Sequence, residues 1–313
     1  MDKRVYGVLG ISSIMSNWNA DFSGYPKTIS DGSVYGSDKA FKYPLKVMWN
    51  QQGEKVLYIK SLVLIEGKKG STELIPRSLK ERYEYIFDVE DLKKVNDRKS
   101  VLTNLFKAID VKNFGATFAE EGNNISITGA VQIGQGFNKY EDSNADEQQI
   151  LSPFRDATEK PDKKEARQTT LGTKIVSDEA HYFYPFTINP TVYDEFKDLG
   201  VTEGYTEEDY QKFKETSLVA ATSFSTNAKM GCENEFALFV ETEKDLYLPD
   251  LAQYINFVKT NDKNIIELNC CNLLNDLEDR IKNIEIFYNP YTTEIKSNIK
   301  SAKAYNIFTK KEV

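Results

Sequence analysis

The spacing of apolar residues predicts short strands that alternate with amphipathic helices. Runs of β-branched and aromatic residues between polar turns are typical of strands, whereas apolar residues three and four positions apart indicate helices. The predicted strands are RVYGVLGI, KVLYIKSLVLI (a buried strand), ISITGAVQI with a break at Gly129, AHYFYPFTINP ending at Pro190, EFALFVE and NIEIFYNP. The predicted helices are GSDKAFKYPLKVMW, SVLTNLFKAID and GYTEEDYQKFKETSLVAATSF, the last with Thr206 as N-cap. This order predicts an α+β fold, an antiparallel sheet with helices on one face, of the ferredoxin-like kind.

The first predicted helix gathers its lysines on one side. The lysines are Lys39, Lys42 and Lys46, and the apolar residues of the opposite side are Phe41, Leu45 and Met48. Ser37 is a suitable N-cap, because its side chain can accept a hydrogen bond from the first turn. Pro44 lies beyond the first turn, where it removes one backbone hydrogen bond and is expected to kink the helix. One side of this helix is therefore predicted to pack and the other to reach outward.

Residues 138–175 form a long polar segment that lacks apolar periodicity. Loops longer than about 15 residues without structure are uncommon unless they are functional or disordered. The apolar residues that stand out in it are Ile150, Leu151, Phe154 and Leu171. They would be incidental in a disordered linker, and would be tip or packing residues in an ordered, projecting hairpin.

Composition allows a large core but limits the kind of partner. The chain has 313 residues, 40% of them hydrophobic, which favours one elaborated domain with insertions. Its net charge of −8 argues against a protein that coats nucleic acid with its whole surface. A local basic groove remains compatible with that charge. The lysine-rich C-terminal stretch is interpreted as a solvated face.

The chain also lacks the sequence features of membrane and secreted proteins. No apolar segment approaches the roughly 20 residues that a membrane helix needs. Cys232, Cys270 and Cys271 cannot build a disulfide framework, so the predicted compartment is cytoplasmic. We interpret the short apolar run at the N-terminus as a first strand rather than a signal sequence.

Catalytic and metal chemistry is disfavoured because the sequence contains a single histidine, His181. It lies in a predicted strand, where a lone histidine is more often a packed residue than a ligand. Zinc sites with histidine and cysteine ligands, serine triads and cysteine–histidine pairs all depend on histidine, and they are disfavoured here. The sequence therefore predicts no catalytic residue, no metal site and no cofactor.

A family resemblance is carried by several segments in order. They are the first strand, the loop NWNADFSGYP, the lysine-bearing helix, FGATFAEEGNNISITGAVQIGQGFN, and the pair AHYFYPFTINP and GYTEEDYQKFKETS. Together they resemble the repeated backbone subunit of type I CRISPR Cascade complexes, a member of the RAMP superfamily, and more narrowly its I-B type. The resemblance covers most of residues 1–242.

The resemblance implies an elaborated domain over residues 1–313. Its core would be an RNA-recognition-motif-like palm of ferredoxin topology with helical and finger insertions. Residues 138–175 would be a thumb hairpin inserted between two palm strands. Residues 243–313 would be a C-terminal extension packed on the palm.

The same resemblance implies a noncatalytic role in antiviral defence. Family members bind one CRISPR RNA side by side as a filament, in which each thumb folds over the RNA and displaces a base at regular intervals. The implied partners are the CRISPR RNA, neighbouring copies of the chain, the target DNA strand through the guide, and the capping and large subunits of the complex, with no membrane.

Two groups of residues are implied to contact the RNA. Contacts to the guide backbone fall on Asn17, Lys27, Ser37, Lys39, Lys42 and Lys46. Lysines suit that role, because a protein that holds any guide sequence must grip phosphates rather than read base edges. In the thumb, the wedge residues are Ile150, Leu151 and Phe154, and the phosphate contacts are Arg155, Lys163, Lys164 and Arg167. Trp18, beside Asn17, would either stack on a base or pack.

Two alternative functions stay open at this point. Related subunits of type III complexes cut RNA through an aspartate in the loop after the first strand, where this chain has Asp21 and Asp31. Such a carboxylate could bind magnesium, but aspartates beside glycine are also frequent turn formers, and we favour the turn. The second alternative is a generic single-stranded RNA-binding module, which would bind RNA without ordered assembly.

Overall fold

The computed structural model describes residues 1–67, 70–151 and 171–313. The predicted thumb residues Phe154, Arg155, Lys163, Lys164 and Arg167 lie outside these ranges. The strands are β1 (Arg4–Ser16), β2 (Tyr35–Gly36), β3 (Leu62–Glu66), β4 (Thr72–Pro76), β5 (Gly115–Phe118), β6 (Ile125–Thr128), β7 (Val131–Ile133), β8 (Gly136–Asn138), β9 (Ala145–Leu151), β10 (Leu171–Ile188), β11 (Cys232–Thr242), β12 (Ile255–Val258), β13 (Asn264–Leu268), β14 (Ile281–Tyr288), β15 (Thr293–Lys296) and β16 (Ala302–Asn306). The helices are α1 (Asp38–Gln51), α2 (Leu79–Phe87), α3 (Arg98–Lys107), α4 (Ile109–Phe114), α5 (Asp194–Asp198), α6 (Glu207–Ser217), α7 (Ala220–Ser223) and α8 (Cys271–Asp276).

A large mixed sheet is the centre of this α/β fold. Its strand order is β16-β14-β11-β1-β10-β8-β2, and β7 and β9 pair with other parts of the long strand β10. β1 runs antiparallel to both neighbours, so that Val5 faces Ile188 on one side and Glu241 on the other. The predicted antiparallel arrangement of these strands is therefore confirmed.

Both faces of this sheet are buried. Side chains alternate along a strand, so Val5, Leu9 and Ile11 pack into the core with α1 and α6, whereas Tyr6 and Val8 pack into a second core. The second core contains Ile255, Ile266, Leu268 and Leu274 from β12, β13 and α8. Helices were expected on one face of the sheet, and α8 shows that the second face also carries a helix, within the C-terminal residues that cover it.

Helix α1 forms as the sequence predicts and continues past its proline. The Ser37 side chain accepts a hydrogen bond from the Ala40 N–H and caps the helix. Phe41 and Leu45 are buried, and so is Trp49, whose Nε1 donates to Thr216 Oγ1 of α6 at 2.9 Å. Because tertiary packing anchors α1 on both sides of Pro44, one missing backbone hydrogen bond does not end it.

The predicted buried strand KVLYIKSLVLI is wrong. Its first part is irregular, because the backbone N–H groups of Leu57 and Tyr58 donate to the Asp110 carboxylate at 2.8 Å instead of to a strand. Its second part is β3, which pairs with β4 in a hairpin whose side chains are mostly exposed. An apolar run alone does not reveal whether another layer covers it.

The predicted helix from Gly204 ends earlier than expected. Thr206 and Asp209 form a reciprocal capping box at its start, and Tyr210 and Phe213 face the core. The helix α6 stops at Ser217 and is followed by the short α7.

Within the ranges described, no helix combines the length and apolar character needed to cross a bilayer.

The single histidine joins the sheet to the C-terminal layer. His181 is 1% exposed, its Nδ1 lies 2.8 Å from Glu235 of β11, and its Nε2 lies 2.9 Å from Glu179 of β10. Its ring stacks on Phe257 of β12 at 3.8 Å, and Lys259 Nζ reaches Glu179 at 2.6 Å. His181 is therefore a packed, ion-paired residue, as its position in a strand suggested.

Candidate nucleic-acid interface

A cleft of about 650 Å³ runs along the lysine side of α1. Its opposite wall comes from the segment before β3 and from the start of β5. The lining residues are Asp38, Lys39, Lys42, Tyr43, Lys46, Tyr58, Phe114, Gly115, Ala116, Thr117 and Ile127. The predicted lysine face of α1 therefore borders a recess with aromatic walls.

Lys39 and Lys42 supply positive charge near the start of α1. Lys39 is exposed, and Lys42 Nζ lies 2.8 Å from Asp38 Oδ2 and 5.2 Å from the ring centre of Phe114. Burial tends to raise the pKa of Asp38, but its hydrogen bond with Lys42 leaves that pKa below the ordinary value. At neutral pH this part of the cleft holds two ammonium groups and one carboxylate, a net positive charge suited to an anion.

Lys46 faces a buried carboxylate instead of open solvent. Its Nζ lies 3.8 Å from Asp110 Oδ2, and the Asp110 side chain is fully buried. Burial raises the pKa of Asp110 and lowers the pKa of Lys46, so each charge depends on the other. Lys46 therefore offsets the charge of the buried Asp110 carboxylate.

The other three predicted contacts to the guide backbone, Asn17, Lys27 and Ser37, do not line the cleft. Ser37 caps α1, and its N–H donates to Asn19 Oδ1 at 2.8 Å. Asn17 is buried, and its Nδ2 donates to the carbonyls of Gly24 and Ile175 at 2.8 and 3.2 Å. Among the described residues, Asn17 Oδ1 has no hydrogen-bond partner. Lys27 is partly exposed.

Trp18 packs inside the molecule. Its Nε1 donates to Tyr184 Oη at 2.6 Å, and its ring meets Phe41 edge-on. Since Trp18 is 1% exposed, its ring is not accessible to a base. The interpretation as a packing residue is the one that the geometry supports.

Lys229, in the loop before β11, contacts the predicted RNA-binding loop and was not predicted from the sequence. Its Nζ donates to the backbone carbonyls of Asn17 and Trp18 and lies over the Trp18 ring. Burial lowers the pKa of Lys229. The neighbouring Met230 is exposed. The available signal was a lysine two residues before Gly231, but its partners are more than 200 residues away in sequence.

The described part of the long polar segment is an antiparallel ribbon. β9 pairs with the first part of β10 from Leu151 opposite Leu171 to Ala145 opposite Ser177, and we call these paired residues the β9–β10 ribbon. Ile150 and Leu151 are 48% and 56% exposed. Two of the predicted wedge residues are thus accessible at the far end of the described ribbon.

The loop aspartates are engaged in turns. Asp21 Oδ1 accepts hydrogen bonds from Ser23 N and Ser23 Oγ at 2.8 Å and from Tyr25 N at 3.1 Å. The hydrogen bonds from Ser23 lower the pKa of Asp21. Asp31 Oδ1 accepts from Ser33 N at 2.8 Å. Across the described residues, no group of three or more histidine, cysteine, aspartate or glutamate side chains is arranged so that it could hold a metal ion.

Comparison with known proteins adds a family match. Residues 3–279 match the family described as CRISPR-associated protein Cas7. One similar solved chain belongs to a "CRISPR RNA-guided surveillance complex, pre-nicking". It is 13% identical, with a TM-score of 0.53, and the match covers 97% of this chain and 96% of that chain.

A second similar chain belongs to a "CRISPR RNA-guided surveillance complex". It is 14% identical, with a TM-score of 0.47, and the match covers 92% of this chain and 91% of that chain. No curated protein matches the sequence. At such identities the structural likeness speaks for the fold alone, whereas the family match spans most of the chain.

Proposed function

This chain is a member of the Cas7 family of CRISPR-associated proteins, and from that premise we propose a role as the RNA-binding backbone of a Cascade complex. Copies of the chain would bind side by side along one CRISPR RNA, and the guide would pair with the target DNA strand. Capping and large subunits would complete the assembly, in the cytoplasm and in an I-B-like arrangement. The family match over residues 3–279 is the observation that carries this proposal.

A ferredoxin-like palm within one elaborated domain, residues 1–313, is part of the proposal. The strand order β11-β1-β10-β8 supports it, together with α1 after β1 and α6 between β10 and β11. The position of the β9–β10 ribbon between palm strands supports a thumb at residues 138–175. The packing of β12, β13 and α8 on the second face supports an extension at residues 243–313.

Lys39 and Lys42 are the residues to which we assign the phosphate grip. Both line the cleft, and ammonium groups attract phosphate whatever the base sequence. We assign Ser37, Asn17 and Lys46 a supporting role, because Ser37 Oγ, Asn17 Nδ2 and Lys46 Nζ contact protein groups, and we retain Lys27 as a contact to the guide backbone. An acidic surface elsewhere would limit nonspecific binding, which fits the net charge of −8.

A noncatalytic role is also proposed. The bonding of Asp21 and Asp31 within turns supports it, because a carboxylate that accepts hydrogen bonds from its own turn is held for structure. A cleavage assay with magnesium and target RNA, comparing the parent with a D21A/D31A variant, tests this point. RNA cleavage by the parent that is lost in the variant would support the nuclease alternative.

The nucleic-acid content of the purified protein tests the main proposal. The chain is expressed with its neighbouring genes and a CRISPR array, and bound RNA is extracted and sequenced. We expect repeat–spacer RNA of one length in a large particle. Random cellular RNA, or none, would contradict the proposal and leave at most a general RNA-binding module.

Matched charge variants link that RNA to the cleft. K39E/K42E reverses two cleft lysines, and K93E/K94E makes the same charge change at exposed lysines outside the cleft. We expect the first variant to lose the RNA and the second to keep it. Equal RNA content in both would contradict the assignment of the site.

A further inference from the structure

The loop after β1 is closed by its own hydrogen bonds. We call residues 17–26 the brace loop. Ala20 and Pro26 form a β-bridge, Asp21 N donates to the Tyr25 carbonyl at 2.8 Å, and the Asp21 carboxylate binds Ser23 and Tyr25. These hydrogen bonds hold the loop in one shape. Two elements that both contact the loop are therefore held in a fixed position relative to each other.

Asn19 fixes the brace loop to the start of α1. Asn19 Oδ1 accepts the Ser37 N–H at 2.8 Å, and the Asn19 carbonyl accepts the Lys27 N–H at 3.1 Å. Ser37 is the N-cap of the helix that bears Lys39 and Lys42. The loop therefore has a defined position relative to those lysines.

Asn17 and Tyr25 fix the brace loop to the β9–β10 ribbon. Asn17 Nδ2 bridges the carbonyls of Gly24 and Ile175, the latter on β10. Tyr25 Oη donates to Glu147 Oε2 of β9 at 3.0 Å. Gly24 has a φ of +92°, and a Cβ at that position would lie 3.4 Å from Ile175 Cδ1. The loop thus contacts both strands of the ribbon.

We propose that the brace loop fixes the angle between the β9–β10 ribbon and α1, so that Asn17 and Tyr25 act as positioning residues for nucleic-acid binding. A two-stranded ribbon is at best marginally rigid alone, and β9 is exposed along its whole length. If two binding elements are already held in one geometry, the protein loses less conformational entropy when it binds its ligand. The link to binding rests on the proposed function, whereas the bracing does not.

Spin-label distances in the full chain test the brace directly. Labels on cysteines introduced by Q51C on α1 and Q149C on β9 lie at exposed sites, while Cys232, Cys270 and Cys271 are buried. We expect one narrow distance distribution in the parent. The displaced fraction is the fraction of molecules whose label distance lies outside the narrow distribution of the parent. With Tyr25→Phe or Glu147→Ala, this fraction should rise about two- to tenfold, as expected for losing one hydrogen bond.

Conservative variants separate bracing from general damage. E147Q keeps an acceptor for the Tyr25 hydroxyl and should retain the narrow distribution, and Y291F removes an exposed tyrosine hydroxyl elsewhere and should change nothing. Thermal midpoints should stay within experimental error in all of these variants. Identical distributions in E147A and E147Q would overturn the brace.

RNA affinity, measured on the same variants with a synthetic CRISPR RNA, tests the positioning role. We expect E147A to bind more weakly than E147Q by the ratio of their undisplaced fractions, because only the undisplaced molecules are competent to bind. Equal affinities despite different distributions would overturn the positioning role. If the parent itself binds no RNA, the proposed function fails, and the distance distributions still decide the brace.

Discussion

At the scale of single residues, Lys46 differs from the lysines beside it. The sequence places Lys42 and Lys46 on one helix face, and both side chains keep 16% of their surface exposed. Their partners differ, because Asp38 is accessible and Asp110 is fully buried. A buried carboxylate that loses its cation is far more costly than an exposed one.

We therefore expect K46M to lower the free energy of unfolding by on the order of 3 kcal/mol, because the buried Asp110 carboxylate would lose its cation. K42M removes an i,i+4 pair whose carboxylate partner, Asp38, stays accessible to solvent, and it should change the same quantity by less than about 0.5 kcal/mol. Urea unfolding of both variants measures the difference. Equal losses would contradict the structural role of Lys46, and for the same reason Lys39 and Lys42 are the better pair for testing RNA binding.

His181 should make stability depend on pH. Burial lowers the pKa of His181, but Glu235 and Glu179 outweigh burial and raise it above 6.5. The ion contacts thus stabilise the fold fully below pH 6.5, and their contribution is lost as the pH rises through the raised pKa. Urea midpoints measured from acid to alkaline pH should show this decline in the parent and a weaker one in H181Q. Parallel curves would show that the histidine contributes no pH dependence.

The role of a residue could be predicted from the sequence where its contacts lie a few positions away along the chain. The role could not be predicted where the contacts lie far away along the chain. Ser37 caps α1 through Ala40, three positions away, and was predicted correctly. Lys46 meets Asp110, and Asn17 meets Ile175, across separations that no local pattern encodes. The lysine side of α1 was therefore predictable, but the division of labour among its lysines was not.

At the scale of elements, the β3–β4 hairpin is the clearest departure from expectation. Leu62, Leu64 and Leu74 are 46%, 67% and 59% exposed, and Leu64 pairs across the hairpin with Leu74. Periodicity reports that a segment is apolar, whereas burial depends on which other segments reach it. Helices with explicit caps, such as α1 and α6, were predicted far better, because caps are local chemistry.

An opposite-charge pair should replace the Leu64–Leu74 pair without loss of the hairpin. We expect L64K/L74E to keep the thermal midpoint of the parent, because the pair is exposed and opposite charges facing each other across strands are favourable. The variant should also be more soluble, since it removes exposed apolar surface. Thermal unfolding and the maximum soluble concentration measure both effects. A large fall in the midpoint would mean that the pair is buried in solution.

At the scale of the whole molecule, charge is distributed unevenly between the cleft and the rest. The chain carries a net charge of −8, yet Lys39 and Lys42 lie together at the cleft. Binding of single-stranded nucleic acid weakens with salt in proportion to the phosphates contacted. The salt dependence of binding therefore reports how many lysines touch phosphate.

We expect K39Q/K42Q to reduce the slope of log affinity against log salt by about 1.4, or about 0.7 for each lost phosphate contact. K93Q/K94Q, with the same charge change outside the cleft, should keep the slope of the parent. Fluorescence anisotropy with labelled RNA at several salt concentrations measures it. An unchanged slope in K39Q/K42Q would mean that neither lysine contacts phosphate.

The position of β1 between two cores has a consequence for how the molecule opens. Val5 and Leu9 belong to the core with α1 and α6, and Tyr6 and Val8 belong to the core with the C-terminal layer. Both cores pack against this strand, and a shift of one residue would place each set of side chains in the opposite core. Hydrogen exchange of the β1 amides should therefore require opening of the whole chain, and the two layers should melt as one cooperative unit.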